Sequence, residues 1–266
     1  MSERVQKVLS QWGLASRRQA EQLILEGRVT INGAIAHLGQ KADPAADTIE
    51  VDGQPLTVQE KPQLTYLLLN KPKGAVSTCA DPQGRRTVMD LLPPQWQVPG
   101  LHPVGRLDTD STGALILTND GHFTNQLTHP RHNIAKTYRV RVQGRPSSET
   151  LKLWRQGVIL EGCLTRPAQV RVVSEAPDST LLEIVLREGR NRQIRKVAEQ
   201  LGHPVISLHR TAIGPVEVCH LPLGRVRPLS SQEVITLVAS SATPKVSPKV
   251  SKSDQRKSSA DIVRCH

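Results

Sequence analysis

Apolar positions recur along this chain with two distinct periods. Between Arg4 and Trp12, the residues Val5, Val8, Leu9 and Trp12 fall on one helical face, and Gly13 ends the pattern. Ser16-Arg17-Arg18-Gln19 has the spacing of a capping box, which predicts a second helix with Ala20, Leu23 and Ile24 inward and Gly27 as its stop. Arg28 to Ala36 then alternates about Asn32-Gly33, the pair favoured in a two-residue hairpin turn. Thr48 to Gly53 reads as one more short strand. Glu60-Lys61-Pro62-Gln63 is polar and contains proline, as the end of a linker would.

The remainder repeats the two periods on a larger scale. Tyr66 to Leu69 and Ala114 to Leu117 are unbroken apolar runs of the length of buried strands. Between them, Cys79 to Gly100 is rich in Pro, Asp and Arg, which predicts a long loop with one helical turn near Val88 to Leu92. Phe123 and Leu127 mark a short helix broken before Pro130. Lys136 to Val142 alternates, with Lys136, Tyr138, Val140 and Val142 on one face and Thr137, Arg139 and Arg141 on the other. Glu149 to Gln156 reads as a helix stopped by Gly157, and Ala168 to Val173 and Leu181 to Leu186 as strands. From Asn191 a helix carries Ile194, Val197, Ala198 and Leu201 as its apolar stripe, ending at Gly202. After Val238 bulky apolar residues nearly vanish, and Ser240 to His266 reads as a disordered basic tail.

Composition narrows the class of partner. The 266 residues carry a formal net charge of +11 and a pI near 9.9, which points to a polyanion. No apolar run approaches the ~20 residues that span a bilayer. The polar start Met1-Ser2-Glu3-Arg4 does not read as a signal peptide. Nucleic acid is therefore favoured over membrane, in the cytoplasm. Aromatic residues make up only 2%, too few for a platform that stacks many bases, so RNA should be gripped by charge and shape. Cys79, Cys163, Cys219 and Cys265 have neither zinc-ligand nor redox spacing and are expected to be free thiols; no metal is expected.

The chemistry centres on Gly105-Arg106-Leu107-Asp108-Thr109-Asp110-Ser111-Thr112-Gly113, an acidic turn that runs into the apolar strand Ala114 to Leu117 and then Thr118-Asn119-Asp120-Gly121. A carboxylate at the mouth of a buried strand beside a fixed cation is either a poised nucleophile or base, or an Asp-rich turn with a surface ion pair. The block resembles the catalytic motif of the RsuA-type pseudouridine synthases, which modify ribosomal RNA. Three further blocks resemble that family: Asn70-Lys71-Pro72-Lys73-Gly74, Lys136-Thr137-Tyr138-Arg139-Val140, and Gly189-Arg190-Asn191-Arg192-Gln193-Ile194-Arg195. Residues 14–33, from Leu14-Ala15-Ser16-Arg17-Arg18 to Ile31-Asn32-Gly33, resemble the small RNA-binding domain named after the fourth small-subunit ribosomal protein.

The resemblance implies an α+β protein. Residues 1–60 would be a small αβ RNA-binding domain, 61–239 a larger, mainly antiparallel catalytic domain, and 240–266 the tail. It implies a cofactor-free isomerisation of one uridine to pseudouridine, with the base flipped out of the stack. Large-subunit rRNA is favoured and small-subunit rRNA remains open. Asp108 would attack the ribose or take a proton from it, Tyr138 would stack on the base, and Arg195 would pair with Asp108, with Ile194 backing the base. Arg106, Lys71 and Arg192 would bind substrate. Arg17, Arg18, Arg28 and Lys41 would hold RNA. The expected partner is ribosomal RNA or a pre-ribosomal particle, bound by a monomer. The alternative is an RNA-binding assembly factor on an inactive synthase fold, which would not require Asp108, Tyr138 and Arg195 together.

Overall fold

The structure, a computed structural model, describes residues 2–57 and 61–242. In chain order its elements are β1 (Glu3–Arg4), α1 (Val5–Gln11), α2 (Arg17–Leu25), β2 (Val29–Ile31), β3 (Ala34–Ile35), β4 (Lys41–Ala42), β5 (Ile49–Val51), β6 (Gln54–Pro55), β7 (Tyr66–Lys71), β8 (His102–Pro103), β9 (Thr112–Thr118), α3 (Gly121–Thr128), β10 (Lys136–Gln143), α4 (Ser148–Gln156), β11 (Ile159–Leu160), β12 (Cys163–Leu164), β13 (Gln169–Glu175), β14 (Ser179–Leu186), α5 (Gln193–Gln200), β15 (Val205–Ile213), β16 (Val216–Glu217), β17 (Val226–Pro228) and α6 (Ser231–Ala242). The class is α+β, with mainly antiparallel pairing, as the sequence implied. Two compact units result. The first draws on Met1–Thr109, Leu115–Asn125 and Leu221–Ser230, the second on Asp110–Ala114, Gln126–His220 and Ser231–His266.

In the first unit, α1 and α2 pack through Val5, Val8, Leu9, Ala20 and Ile24 onto Val29, Ile31 and Ile49 of a four-stranded sheet ordered β3-β2-β5-β6. The capping box forms: Ser16 Oγ accepts from Gln19 N, and Gln19 Oε1 accepts from Ser16 N. Asn32 and Gly33 turn the β2–β3 hairpin with φ of 53° and 80°, the left-handed pair such a turn needs. A separate cluster joins Leu67 and Leu69 of β7 to Leu115 and Leu117 of β9, with Val88 and Leu92 from the long loop. In the second unit the strand order is β13-β14-β10-β15. There β15 also pairs in parallel with the start of β9, His209 against Thr112 and Arg210 against Gly113.

Several expectations need correction. The two-residue strands β1, β4, β6, β8, β11, β12 and β16 were not foreseen, because two residues carry no period, and neither were β15, β17 and α6. The helix expected from Asn191 begins at Gln193, since Arg192 is left-handed with φ of 50° and ψ of 30°. Helix α6 runs to Ala242, past the boundary drawn at 239, with Leu237 fully buried. The rest of the tail, and Glu60 of the expected linker, lie outside the described residues. Cys79 and Cys219 form no disulfide, whereas Cys163 is disulfide-bonded, against expectation. No described helix is long and apolar enough to cross a membrane.

Gly113 is indispensable to the β9–β15 pairing. Its φ is +110°, and a Cβ there would lie 2.1 Å from the Arg210 carbonyl oxygen. Backbone strain and overpacking both apply, so Gly113→Ala is expected to cost at least about 2 kcal/mol in a urea unfolding titration. A wild-type midpoint would show that this close approach is not required.

Candidate active site

Asp108 lies half-buried in the loop between β8 and β9. In the first unit, three consecutive main-chain carbonyls of that loop are each taken by a donor from the turn after β7. Ser77 Oγ donates to Leu107 O at 2.8 Å, Lys71 Nζ to Asp108 O at 3.0 Å, and Gly74 N to Thr109 O at 2.8 Å. Ser77 Oγ also accepts from Leu107 N at 3.2 Å. Lys71 is 0% exposed, and its ammonium donates as well to Pro72 O at 3.1 Å. Lys71 was expected to meet substrate; in the structure it is buried and its ammonium holds the Asp108 carbonyl. The turn itself is tied down through Asn70, whose N donates to Arg225 O and whose Nδ2 donates to Leu221 O.

The second unit takes up the chain at Asp110. Arg192 grips the Asp110 carboxylate with both terminal nitrogens, at 3.2 and 3.1 Å. Arg195 Nε lies 3.3 Å from the same carboxylate, and its Nη2 donates to Asp110 O and Ser111 Oγ. Burial would raise the Asp110 pKa, but the Arg192 hydrogen bond and the charges of Arg195 and Arg192 outweigh it and hold the carboxyl below its ordinary range. Arg195 was expected to pair with Asp108. Within its own unit, the carboxylate it meets is Asp110. Further along, Arg210 Nε donates to Ala114 O at 2.7 Å, and Thr112 Oγ1 sits 2.8 Å from His209 Nδ1.

Tyr138 is buried on β10, opposite Ile184 of β14 and Arg210 of β15. Ile194 is buried with Val197 and Ala198 on the inner face of α5. Arg106 is exposed. Among the expected RNA contacts, Arg17, Arg18 and Lys41 are exposed on α2 and β4. Arg28, also exposed, donates from Nε and Nη2 to the Asp52 carboxylate at 2.7 and 2.6 Å, and from Nη1 to Glu26 at 3.3 Å. The sequence reading passed over Lys136, although it shares the Tyr138 face. This half-buried ammonium donates to Ile134 O at 3.3 Å, and burial, together with the nearby charge of Arg210, lowers its pKa to about 8.

These residues fall within a segment that matches a known family. Residues 65–200 match RNA pseudouridylate synthase, and residues 3–47 match the S4 domain. The chain belongs to the RNA pseudouridylate synthase family. It is similar to an uncharacterized RNA pseudouridine synthase of Aquifex aeolicus, 41% identical over 89% of this chain and 94% of that protein. It is also similar to ribosomal large subunit pseudouridine synthase B of Bacillus subtilis, 40% identical over 89% of this chain and 96% of that one. A crystal structure of a pseudouridylate synthase superposes with a TM-score of 0.64 at 30% identity, covering 88% of this chain and 99% of that chain. The synthase is thus an RNA-acting isomerase with an S4 domain.

Two outcomes follow for the synthase. Lys71→Met leaves buried carbonyls without their donor, which should cost about 1–3 kcal/mol by chemical denaturation; unchanged stability would mean the loop is held without Lys71. Folding lowers the Lys136 pKa, so its charged form destabilises the fold below pH 8, and this cost fades as pH rises towards the ordinary value of 10.5. Lys136→Met should therefore melt above wild type at pH 7, with the gap closing between pH 8 and 10.5. A gap independent of pH would contradict this account.

Proposed function

We propose that this synthase converts one uridine of large-subunit ribosomal RNA to pseudouridine. The observation that carries the reading is the similarity to the Bacillus subtilis large-subunit enzyme, which extends over 96% of that protein. The reaction cleaves the N1–C1′ bond, turns the base and joins C5 to C1′. Nothing leaves and no redox change occurs, so the chain's own side chains suffice.

Asp108 acts at the ribose. Whether it attacks C1′ or removes a ribose proton, the carboxylate must stay in one place, and the captured carbonyls on its main chain support that demand. Tyr138 stacks on the flipped base and Ile194 backs it. Arg195 supplies positive charge beside the acidic turn, held through Asp110. Arg192 meets the substrate backbone, and Arg106 fills the gap left by the base or holds a flanking phosphate. The domain covering 1–60 docks RNA through Arg17, Arg18 and Lys41, and 61–239 performs the chemistry. The net charge of +11 supports a polyanionic partner, rRNA or a pre-ribosomal particle, met by a monomer in the cytoplasm.

Pseudouridine mapping of total rRNA from cells with and without the gene should reveal one lost site in the large subunit. Wild type should restore it, and Asp108→Asn should not, although that variant should bind the RNA as wild type does. Restoration by Asp108→Asn would remove the catalytic assignment, and an unchanged map would move the reading to an assembly factor. Arg17→Ala combined with Arg18→Ala should reduce the slope of log affinity against log salt by about 1.5; an unaltered slope would mean these arginines do not touch phosphate.

A further inference from the structure

We propose that Lys136 is a further catalytic residue of this reaction, its ammonium group holding a carbonyl oxygen of the flipped uracil while the ring is detached from the ribose. The inference rests on the reading that Tyr138 stacks on the base. Residues 136 and 138 project from the same face of β10, with Cα atoms about 7 Å apart. A lysine side chain spans that distance, so its ammonium can lie at the edge of a ring stacked on Tyr138.

The environment of Lys136 has no structural motive in the free protein. An ammonium has three donors. This one reaches Ile134 O at 3.3 Å, and no described carboxylate pairs with it. On the neighbouring strands, β14 sets Leu186 opposite Lys136, and β15 sets Ile213 opposite it. The charge that does act on it is Arg210 of β15, another cation, placed opposite Tyr138. Burying an ammonium among apolar residues beside a like charge costs stability, and a methionine would fill the same space without that cost. An incoming group with negative charge would offset it.

The reaction supplies such a group. When the C1′–N1 bond breaks, its electron pair stays on N1 and spreads over O2 and O4 of the uracil ring. The ring then turns, an electron pair at C5 forms the C5–C1′ bond, C5 loses its proton, and N1 gains one. The charge on the carbonyl oxygens is largest between the two bond changes. A desolvated cation fixed at that point stabilises the detached ring more than the bound uridine, which is what speeds the step.

The test uses full-length protein and a transcript of the large-subunit segment that contains the mapped uridine, in single-turnover reactions at saturating enzyme. Lys136→Met is expected to slow conversion roughly 10²-fold, as loss of one oxyanion donor does, with the Kd for the transcript at its wild-type value. Lys136→Arg keeps the charge and should recover part of the rate. Replacing the target by 2-thiouridine or 4-thiouridine removes one strong acceptor. One of the two should slow wild type more than it slows Lys136→Met, which ties the lysine to that oxygen. A wild-type rate in Lys136→Met, equal thio effects in both proteins, or parallel loss of rate and RNA affinity in Lys136→Met and Lys136→Arg would each overturn the proposal. Failure of wild type to convert the unsubstituted transcript, or conversion by Asp108→Asn, would instead overturn the underlying functional reading.

Discussion

The capture of the Leu107, Asp108 and Thr109 carbonyls is the constraint on which the rest depends. A side chain carried on a loop is only as well placed as the main chain beneath it, and loop carbonyls taken out of water need donors. Here one donor is an ammonium with no exposed surface, so the bond it makes is charge-assisted and stronger than a neutral one. The support continues outward. Lys71 ends β7, Asn70 beside it is bonded to the 221–225 segment, and Leu229 N donates to Tyr66 O at the other end of β7. Residues separated by more than a hundred positions therefore set the place of one aspartate.

Beyond Thr109 the chain enters the second unit, and a different device takes over. Arginines hold segment 110–114: Arg192 and Arg195 through Asp110, and Arg210 through the Ala114 carbonyl. Arg192 adopts left-handed backbone to do so, a conformation that costs a non-glycine residue roughly 1–3 kcal/mol. Gly113 has no Cβ and lets the chain pass against the Arg210 main chain. The result is a cationic wall built from the start of α5 and the middle of β15.

The small module separates surface charge from its apolar interior. Charge near the surface gives affinity that salt screens, while buried groups give chemistry that it does not. Arg28 is exposed and carries an acidic partner in the free protein. Its fork closes on Asp52, which joins the end of α2 to the end of β5. Arg17 and Arg18, at the start of α2 beside the capping box, are exposed as well.

By itself, the sequence determined the family and many of the elements, though not β15 or α6. The spacing of Val5, Val8 and Leu9, the Ser16 capping box, the Asn32-Gly33 turn, the apolar runs at 66–69 and 114–117 and the alternation about Tyr138 are all short-range patterns. Burial of one face forces them whatever the partner. The motif blocks likewise pointed to the family that the matching segment 65–200 shows. Only the tertiary structure decided what each polar group meets. That Lys71 lies under the Asp108 loop, that Arg195 meets Asp110, that Arg28 meets Asp52, and that Lys136 faces Arg210 without a carboxylate are contacts between residues distant in the chain. Hydrophobic burial is non-directional and leaves a period in the sequence. Hydrogen bonds and ion pairs need particular distances and angles, and those exist only once the strands and loops have been brought together.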